Sequence, residues 1–389
     1  MDTHQLTRHA RPATRSLAVV STYPPTKCGL ATFSDALVTA ITAQPSPPRV
    51  GVVEVVDQPQ PRRHPHVVGQ YAGGDERAVT EAAAALAPFD IVVLQHEYGI
   101  YPGPDGAAVL CLLDRLSVPV VTVLHTVLTR PTASQRLVLE QVVARSDAVV
   151  VMTETARERL VTRYRVHPER VHVIPHGTNT ACGSAPSRDR GRPPVLLTWG
   201  LLGPGKGIEH AIDALASLRD LRPRPRYVVA GQTHPKLGAQ TGERYRAMLV
   251  ARARARGVAD MLEFDDRYLS RRALTALIGQ ADVVVLPYES REQVTSGVLV
   301  DAVACHRPVV ATAFPHAVEL LGQGAGLTVP HGDVAGLAGA LRRVLVEPGL
   351  AVRLRAVAGS IAPSLSWKVV ADRYLALARD VAGARTPAA

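Results

Sequence analysis

The stretch VLLTWGLLGPGKGIEHAIDALASL, residues 195–218, decides the fold of its half of the chain. It begins as a buried strand, continues through a glycine-rich turn and ends in a helix with one apolar side, formed by Ile208, Ala211, Ile212, Leu215 and Leu218. A strand, a glycine turn and an amphipathic helix are the repeating unit of a doubly wound α/β domain. Free backbone N–H groups and the helix dipole attract phosphate at such a helix start, so Lys206 in this turn predicts a diphosphate site.

The same turn has two other interpretations. Gly200, Gly205 and Lys206 fit the beginning of a P-loop, GxxxxGK. The next position of that motif fails, because Gly207 stands where a Ser or Thr hydroxyl must ligate magnesium. Asp265 in LEFDD is the carboxylate that would have to hold the metal. A P-loop NTPase therefore fits less well than a metal-free diphosphate site, and a glycine turn with a solvated lysine is the structural alternative.

A second helix start follows in PYESREQVTSGVLVDAVA, residues 287–304. After a strand and a polar loop, Thr295, Ser296 and Gly297 begin a helix with an apolar side. Thr295 and Ser296 could simply be helix caps. Two phosphate-competent helix starts in one domain would together stabilise the charge that develops on a nucleoside diphosphate as it leaves.

Short β-branched runs recur along the whole chain, with helical patterns between many of them. This alternation predicts βαβ units and parallel sheets. The predicted strands are 17–22, 50–56, 91–96, 120–125, 148–152, 171–175, 195–199, 227–231, 261–264, 283–287, 308–312 and 327–330. The fold class is therefore α/β, with two doubly wound Rossmann-like domains whose carboxyl-edge loops can face each other across a central cleft.

The segment CGSAPSRDRGRPP, residues 182–194, is poor in apolar residues and is typical of a linker. It suggests an N-terminal domain over residues 1–185 and a C-terminal domain over residues 186–365. Residues 366–389 are expected to form a helix, from Trp367 to Ala382, and a tail, with the helix packing back on the first domain.

Length and composition limit the class of protein. A chain of 389 residues exceeds one ordinary core, and 47% apolar with 20% charged residues indicates a globular protein. No stretch approaches the roughly 18 to 20 continuous apolar residues of a membrane-spanning helix, and residues 16–21 are too short for the core of a secretion signal. The four cysteines lie far apart without CxxC spacing, which argues against a zinc site or a disulfide framework and favours a cytoplasmic location.

The formal net charge of +10 favours anionic partners. Nucleic acid is not expected, because aromatic residues make up only 4% of the chain and most of the arginines are scattered. The charge would allow peripheral contact with an anionic membrane at its inner face.

The motifs resemble the retaining family 4 glycosyltransferases of the GT-B fold, from about residue 21 to about residue 382. TYPPTKCGLATFSDAL, with Gly29 ahead of a helix, resembles the family's first-strand loop, which approaches the donor. VVTVLHT places His125 where the family's histidine touches the donor sugar. VIPHGTN and GLLGPGKG resemble two further family turns, and the second retains Lys206 and Gly205.

The sequence departs from the family at two places. Leu201 replaces the arginine that usually partners the lysine at the diphosphate. The family's paired glutamates fall on Gln293 and Asp301, which the resemblance places at the donor-sugar hydroxyls and at the ribose. The resemblance also places Val294, with Thr295, Ser296 and Gly297, against the donor.

The resemblance implies metal-independent transfer of a hexose, with retention of configuration, from a GDP- or UDP-linked donor to a sugar, lipid-linked or small-molecule acceptor. It implies catalytic roles for His125, Lys206 and Gln293, a C-terminal domain that binds the nucleotide-sugar and an N-terminal domain that binds the acceptor. QVTSG, HPKL…GERYR, LQHEYG and HTVL are similar to a subgroup often called mannosyltransferases. A non-catalytic nucleotide-sugar binding protein stays open as an alternative, because Gln293 is neutral.

Overall fold

The computed structural model describes residues 14–61, 64–179, 182, 191–233, 243–267 and 269–385. The chain forms two compact parts. Unit 1 comprises Met1–Pro175 and Trp367–Ala389, and unit 2 comprises His176–Ser366. The predicted domain boundary at residues 185 and 186 lies outside the described residues, as does most of the predicted linker. Residues 234–242 of the motif HPKL…GERYR also lie outside the residues that the structure describes.

Unit 1 contains a seven-stranded sheet in the order β3-β2-β1-β4-β5-β6-β7. All neighbouring strands are parallel. The central strands β1 and β4 are fully buried, as expected for a sheet covered on both faces. The strands are β1 (Ser16–Ser21), β2 (Arg49–Val56), β3 (Val67–Ala72), β4 (Ile91–His96), β5 (Val120–Leu124), β6 (Ala148–Val151) and β7 (Val171–Val173).

The helices of unit 1 cover this sheet. They are α1 (Gly29–Thr42), α2 (Glu76–Leu86), α3 (Val109–Arg115), α4 (Ala133–Ala144), α5 (Glu154–Arg163) and, from the end of the chain, α13 (Trp367–Arg385). Helix α13 packs on α1, and its Trp367 and Tyr374 share a buried core with Phe33 and Leu37 of α1. The apolar side of the last helix thus completes the core of the unit that begins the chain.

Unit 2 contains a six-stranded parallel sheet in the order β10-β9-β8-β11-β12-β13. Its strands are β8 (Val195–Trp199), β9 (Arg226–Ala230), β10 (Leu262–Asp265), β11 (Val283–Leu286), β12 (Val309–Thr312) and β13 (Gly326–Val329). Its helices are α6 (Ile208–Ala216), α7 (Arg244–Ala255), α8 (Arg271–Gln280), α9 (Gly297–Ala304), α10 (Pro315–Leu321), α11 (Val334–Val346) and α12 (Leu350–Ile361). The strand order reverses between β8 and β11, where open α/β sheets bind ligands at the carboxyl ends of their strands.

The prediction of two parallel, doubly wound α/β domains is confirmed. One strand was missed: β3, with the sequence VVGQYA. It is an edge strand with alternating burial and carries Gly69 and Gln70, so it lacks the continuous apolar run that reveals a central strand. None of the helices in the described ranges combines the length with the apolar composition that a membrane-spanning helix needs.

The expectation that the cysteines form no disulfide was wrong for one pair. Cys182 and Cys305 are joined, although 123 positions separate them along the chain. Spacing along the sequence could not reveal this bond, because the fold of unit 2 brings the two residues together. Cys28 and Cys111 are free thiols.

Candidate active site

The glycine turn that links β8 to α6 lies beside the point where the strand order of unit 2 reverses. Gly205 and Gly207 have φ values of 85° and 63°, in the left-handed region that favours glycine. Gly207 is the N-cap of α6. Within the described part of the chain, the N–H groups of Ile208 and Glu209 have no hydrogen-bond acceptor. The start of α6 therefore presents free donors that can bind an anion.

The loop after β11 holds this turn in place. The Glu289 N–H donates to the Gly205 carbonyl at 3.0 Å, and His210 Nε2 lies 3.1 Å from Glu289 Oε1. A Cβ on Gly207 would lie 1.8 Å from the Pro287 carbonyl oxygen. The two loops approach so closely that only glycine fits at position 207.

Lys206 lies in this turn, as predicted, with its ammonium 4.5 Å from the centroid of the Tyr288 ring. In the described ranges, no carboxylate forms an ion pair with Lys206. Its charge is therefore not neutralised by an acidic side chain of the described residues.

The start of α9 is the second predicted phosphate-binding element. Ser296 is its N-cap: the hydroxyl accepts from the Leu299 N–H at 3.3 Å, and its own N–H donates to His316 Nδ1 at 2.8 Å. Both polar groups of Ser296 are thus used within the protein, as in the helix-cap alternative. The N–H groups of Gly297 and Val298 have no acceptor among the described residues and remain as anion donors.

The two helix starts follow neighbouring parallel strands of unit 2, β8 and β11. A Cβ on Gly200, at the beginning of the glycine turn, would lie 4.0 Å from Val298 Cγ2 in the first turn of α9. Free N–H groups from α6 and α9 and the charge of Lys206 therefore belong to one region at the carboxyl edge of the sheet. This is the arrangement that a diphosphate requires.

The segment before α9 carries three further predicted residues. Gln293 is half-buried, and its Nε2 donates to the Thr295 carbonyl at 3.1 Å. The Thr295 hydroxyl is buried and has no partner among the described residues. Val294 is also buried.

Asp301 lies inside α9 and contacts a turn that the sequence resemblance had singled out. Its Oδ1 accepts the Thr178 hydroxyl at 2.6 Å. The ring of His176, in the same VIPHGTN segment, packs on the start of α9, where a Cβ on Gly297 would lie 3.0 Å from Nε2. Burial lowers the pKa of His176, although the nearby Asp301 carboxylate acts in the opposite direction.

His316 also contacts the start of α9, through its hydrogen bond with the Ser296 N–H. Burial, followed by the nearby His176, lowers the pKa of His316 to about 3 from an ordinary 6.5. A neutral ring is what the contact with Ser296 needs, because Nδ1 must accept the Ser296 N–H. The proton of the neutral ring is then on Nε2.

This arrangement predicts a pH dependence of stability. Between about pH 6.5 and about pH 3 the unfolded chain binds a proton at His316 that the folded chain does not. The stabilising contribution is therefore complete above this window and is lost as the pH falls through it. We expect the free energy of unfolding to decrease with falling pH, by at most about 1.4 kcal/mol per pH unit from this residue.

The measurement compares urea unfolding of the parent protein and of His316→Asn at several pH values from neutrality to about pH 5. Asparagine can still accept a hydrogen bond but does not titrate. The variant should show the shallower pH dependence, and parallel curves for the two proteins would contradict the assignment.

In unit 1, His125 follows β5, and its Nε2 lies 2.8 Å from Gln95 Oε1 at the end of β4. The His125 ring meets the Phe33 ring edge-on, with centroids 4.9 Å apart. Phe33 is one turn into α1, which begins at Gly29, and a Cβ on Gly29 would meet nothing within 4 Å. The structure thus brings the two predicted residues of unit 1 to the same edge of the sheet, with open space at the glycine.

In the neighbouring QHE segment, residues 95–97, Gln95 and His96 are buried. His96 is fully buried, which lowers its pKa to about 4, and neither ring nitrogen has a partner among the described residues. Burial raises the pKa of Glu97, whose carboxylate accepts the Thr126 hydroxyl at 2.5 Å. The described residues contain no group of three or more His, Cys, Asp or Glu side chains that could hold a metal ion.

Sequence reasoning missed several residues that shape these regions. Thr178 and Gln95 lie within quoted motifs, VIPHGTN and LQHEYG, and each contacts a predicted site residue. Tyr288 stands directly after the strand VVVLP, where a ligand-proximal residue is expected in an α/β sheet. The sequence signal that could have found Tyr288 is its position directly after a strand. The side-chain contacts of these residues depend on the fold and could not be predicted from the sequence.

Comparison with known proteins gives matches over both parts of the chain. Residues 36–181 match the family described as Glycosyltransferase Family 4, and residues 184–359 match Glycosyl transferases group 1. The D-inositol 3-phosphate glycosyltransferase of Jonesia denitrificans is 31% identical in an alignment of 331 positions that covers 77% of this chain and 73% of that protein. The protein of the same description from Stackebrandtia nassauensis is 31% identical in an alignment of 324 positions that covers 76% of this chain and 70% of that protein.

Solved structures are similar over nearly the whole chain. Sucrose-phosphate synthase from Thermosynechococcus elongatus superposes with a TM-score of 0.74 at 20% identity and covers 95% of this chain and 100% of its own. Anabaena HepE in complex with UDP and glucose gives a TM-score of 0.74 at 16% identity, covering 93% and 98%. At these identities the likeness concerns the fold.

Proposed function

Because this chain belongs to the glycosyltransferases of family 4 and group 1, with the GT-B fold, we propose that it transfers a hexose from a nucleoside diphosphate sugar with retention of configuration and without a metal. The observation that carries the proposal is that two helix starts with free N–H groups follow the neighbouring strands β8 and β11 of unit 2, with Lys206 in the first of the two loops. Such donors stabilise negative charge where it develops, at the leaving diphosphate.

The proposed reaction needs no protein nucleophile. The bond between the sugar and the diphosphate breaks, the acceptor hydroxyl attacks from the same face, and the departing phosphate oxygen takes the acceptor proton. Lys206 and the N–H groups of Ile208, Gly297 and Val298 stabilise the diphosphate as its charge increases. They supply the positive potential that a divalent cation supplies at other phosphate sites.

The remaining predicted residues recognise the donor. Asp301 already accepts one hydroxyl hydrogen bond, from Thr178, and is proposed to accept those of the ribose hydroxyls. Gln293 is proposed to bind the donor-sugar hydroxyls through an amide that both donates and accepts. His125, oriented by Gln95, is proposed to hydrogen-bond the sugar.

The acceptor and the exact donor are proposed only as classes. The relatives named D-inositol 3-phosphate glycosyltransferase support a small polar molecule among the acceptors. Mannose as the transferred sugar rests on the motifs QVTSG, LQHEYG and HTVL. Peripheral contact with an anionic membrane and a cytoplasmic location rest on composition and the net charge of +10.

A nucleotide-sugar screen tests the proposal. GDP-, UDP-, ADP- and TDP-sugars are added in thermal unfolding experiments, where a ligand at about a hundredfold its dissociation constant adds about 2.7 kcal/mol of stability. Each stabilising donor is then incubated with candidate acceptors, and the released nucleoside diphosphate and the product are measured. Stabilisation without release would favour a non-catalytic binding protein, and no stabilisation by any donor would contradict the proposal.

Gln293 and Asp301 are expected to act on different parts of one donor. Gln293→Ala should leave binding of the bare nucleoside diphosphate unchanged. It should weaken binding of the nucleotide-sugar by about 0.5 to 1.5 kcal/mol, the net contribution of a hydrogen bond. Asp301→Asn keeps an oxygen for Thr178 but loses the charge, so it should weaken both ligands alike. Calorimetric titration measures all four affinities, and equal losses for the two ligands in Gln293→Ala would show that this residue does not read the sugar.

Transfer is expected to persist in excess EDTA, because backbone N–H groups and Lys206 provide the positive potential. The measurement is the transfer rate before and after chelation, with magnesium added back as a control. Complete loss that magnesium restores would revive the P-loop alternative.

A further inference from the structure

Tyr288 contacts both Lys206, the lysine proposed to bind the diphosphate, and a buried aromatic residue of unit 2. It is 1% exposed, and its ring has the Lys206 ammonium 4.5 Å from its centroid. The ring also stacks on Phe314, with centroids 5.2 Å apart and 27° between the planes. The backbone is fixed as well, because the Thr312 hydroxyl donates to the Tyr288 carbonyl at 2.6 Å.

The ring can hold the ammonium without competing with a phosphate. A carboxylate partner would have to be displaced by the diphosphate, whereas an aromatic face attracts the cation through its quadrupole and carries no net charge. The ammonium has three donors, and a ring on one side leaves donors for a ligand on the other. A lysine held in this way loses less conformational freedom when the ligand binds.

The same stack leads to the start of α9. Phe314 comes two residues before His316, whose Nδ1 accepts the Ser296 N–H at 2.8 Å. Lys206 thus contacts Tyr288, whose stacking partner Phe314 precedes α10, and the first turn of α9 is bonded to His316 within α10.

We infer that Tyr288 is a positioning residue that holds the Lys206 ammonium, through its aromatic face, where the leaving diphosphate develops its charge. The inference rests on the proposed function and assigns it a residue that was not among the predicted site residues. The hydroxyl is not the active part, because it is buried with no partner among the described residues. Tyr288→Phe should therefore preserve the function of the ring.

The test separates the ring's electrostatics from its packing. Tyr288→Phe is the reference, and phenylalanines with one, two or three ring fluorines at this position weaken the cation–π attraction stepwise at nearly constant shape. Calorimetry with UDP and GDP and single-turnover transfer are measured for each. We expect the nucleotide affinity or the transfer rate to fall with each added fluorine. Tyr288→Leu should lower the affinity or the rate about 2- to 30-fold.

A double-mutant cycle with Lys206→Ala identifies the partner of the ring. The loss in Tyr288→Leu should largely disappear when Lys206 is already alanine. Phe89→Leu is the matched control: it removes the ring 4.2 Å beneath Arg49 in unit 1 and should lower stability without changing nucleotide affinity.

A flat response to fluorination, or additive losses in the cycle, would overturn the inference. If Tyr288→Leu does not fold, the fluorinated series still decides. A Lys206→Ala variant with normal nucleotide affinity and rate would instead refute the proposed role of the lysine, so the two failures are distinguishable.

Discussion

Lys206→Ala is expected to slow sugar transfer by about 10²- to 10³-fold while the protein stays folded. The lysine provides the full positive charge beside the free N–H groups of α6 and α9, and it has no acidic partner among the described residues whose loss would disturb the fold. A donor lost at the site of developing charge costs about 2.7 to 4 kcal/mol of transition-state stabilisation. The transfer rate at saturating donor measures this effect.

Lys368→Ala is the matched control for this experiment. Lys368 is an exposed lysine on α13 in unit 1, so its removal changes the net charge equally without touching the proposed site. The thermal midpoints of both variants should match that of the parent. Near-normal turnover in a folded Lys206→Ala protein would show that the diphosphate is held in another way.

Gly207→Ala is expected to destabilise unit 2 by about 3 kcal/mol or more and to abolish nucleotide binding. Two costs add at this position. A left-handed conformation costs a residue with a Cβ about 1 to 2 kcal/mol, and φ is 63° here. The new methyl group would also lie 1.8 Å from the Pro287 carbonyl oxygen, so the turn must move away from the loop after β11.

Gly205→Ala separates these two costs within the same turn. Its φ is 85°, but a Cβ there would meet no atom within 4 Å. Gly205→Ala should therefore lower the free energy of unfolding only by the cost of the left-handed conformation, about 1 to 2 kcal/mol. Urea unfolding and nucleotide titration of both variants provide the measurement, and equal losses at the two positions would mean that the close approach at Gly207 has no energetic importance.

The features that could be predicted are those that depend on residues close together in the sequence. The strand, turn and helix of residues 195–218 were predicted because apolar periodicity and glycines are local signals. The edge strand β3 was missed because its alternating burial and its glycine weaken that signal. The disulfide between Cys182 and Cys305 was missed because it depends on a contact across 123 positions.

The candidate site shows the same division. Lys206 and the start of α9 were placed from the sequence, but the engagement of Ser296 by His316 joins residues 20 positions apart and could not be seen there. The contact between Lys206 and Tyr288 likewise joins loops that follow different strands. Side-chain partners at the carboxyl edge of a parallel sheet come from strands that are distant in sequence, which is why motifs located the region but not its contacts.

The return of the chain to unit 1 through α13 has a consequence for biosynthesis. Unit 2 is an insertion within unit 1, so the ribosome completes its synthesis while unit 1 still lacks Trp367 and Tyr374 from its core. Domains tend to fold as they emerge, and the unit translated first is here finished last. The face of α1 that carries Phe33 and Leu37 therefore lacks its packing partner in the nascent chain until α13 has been synthesised.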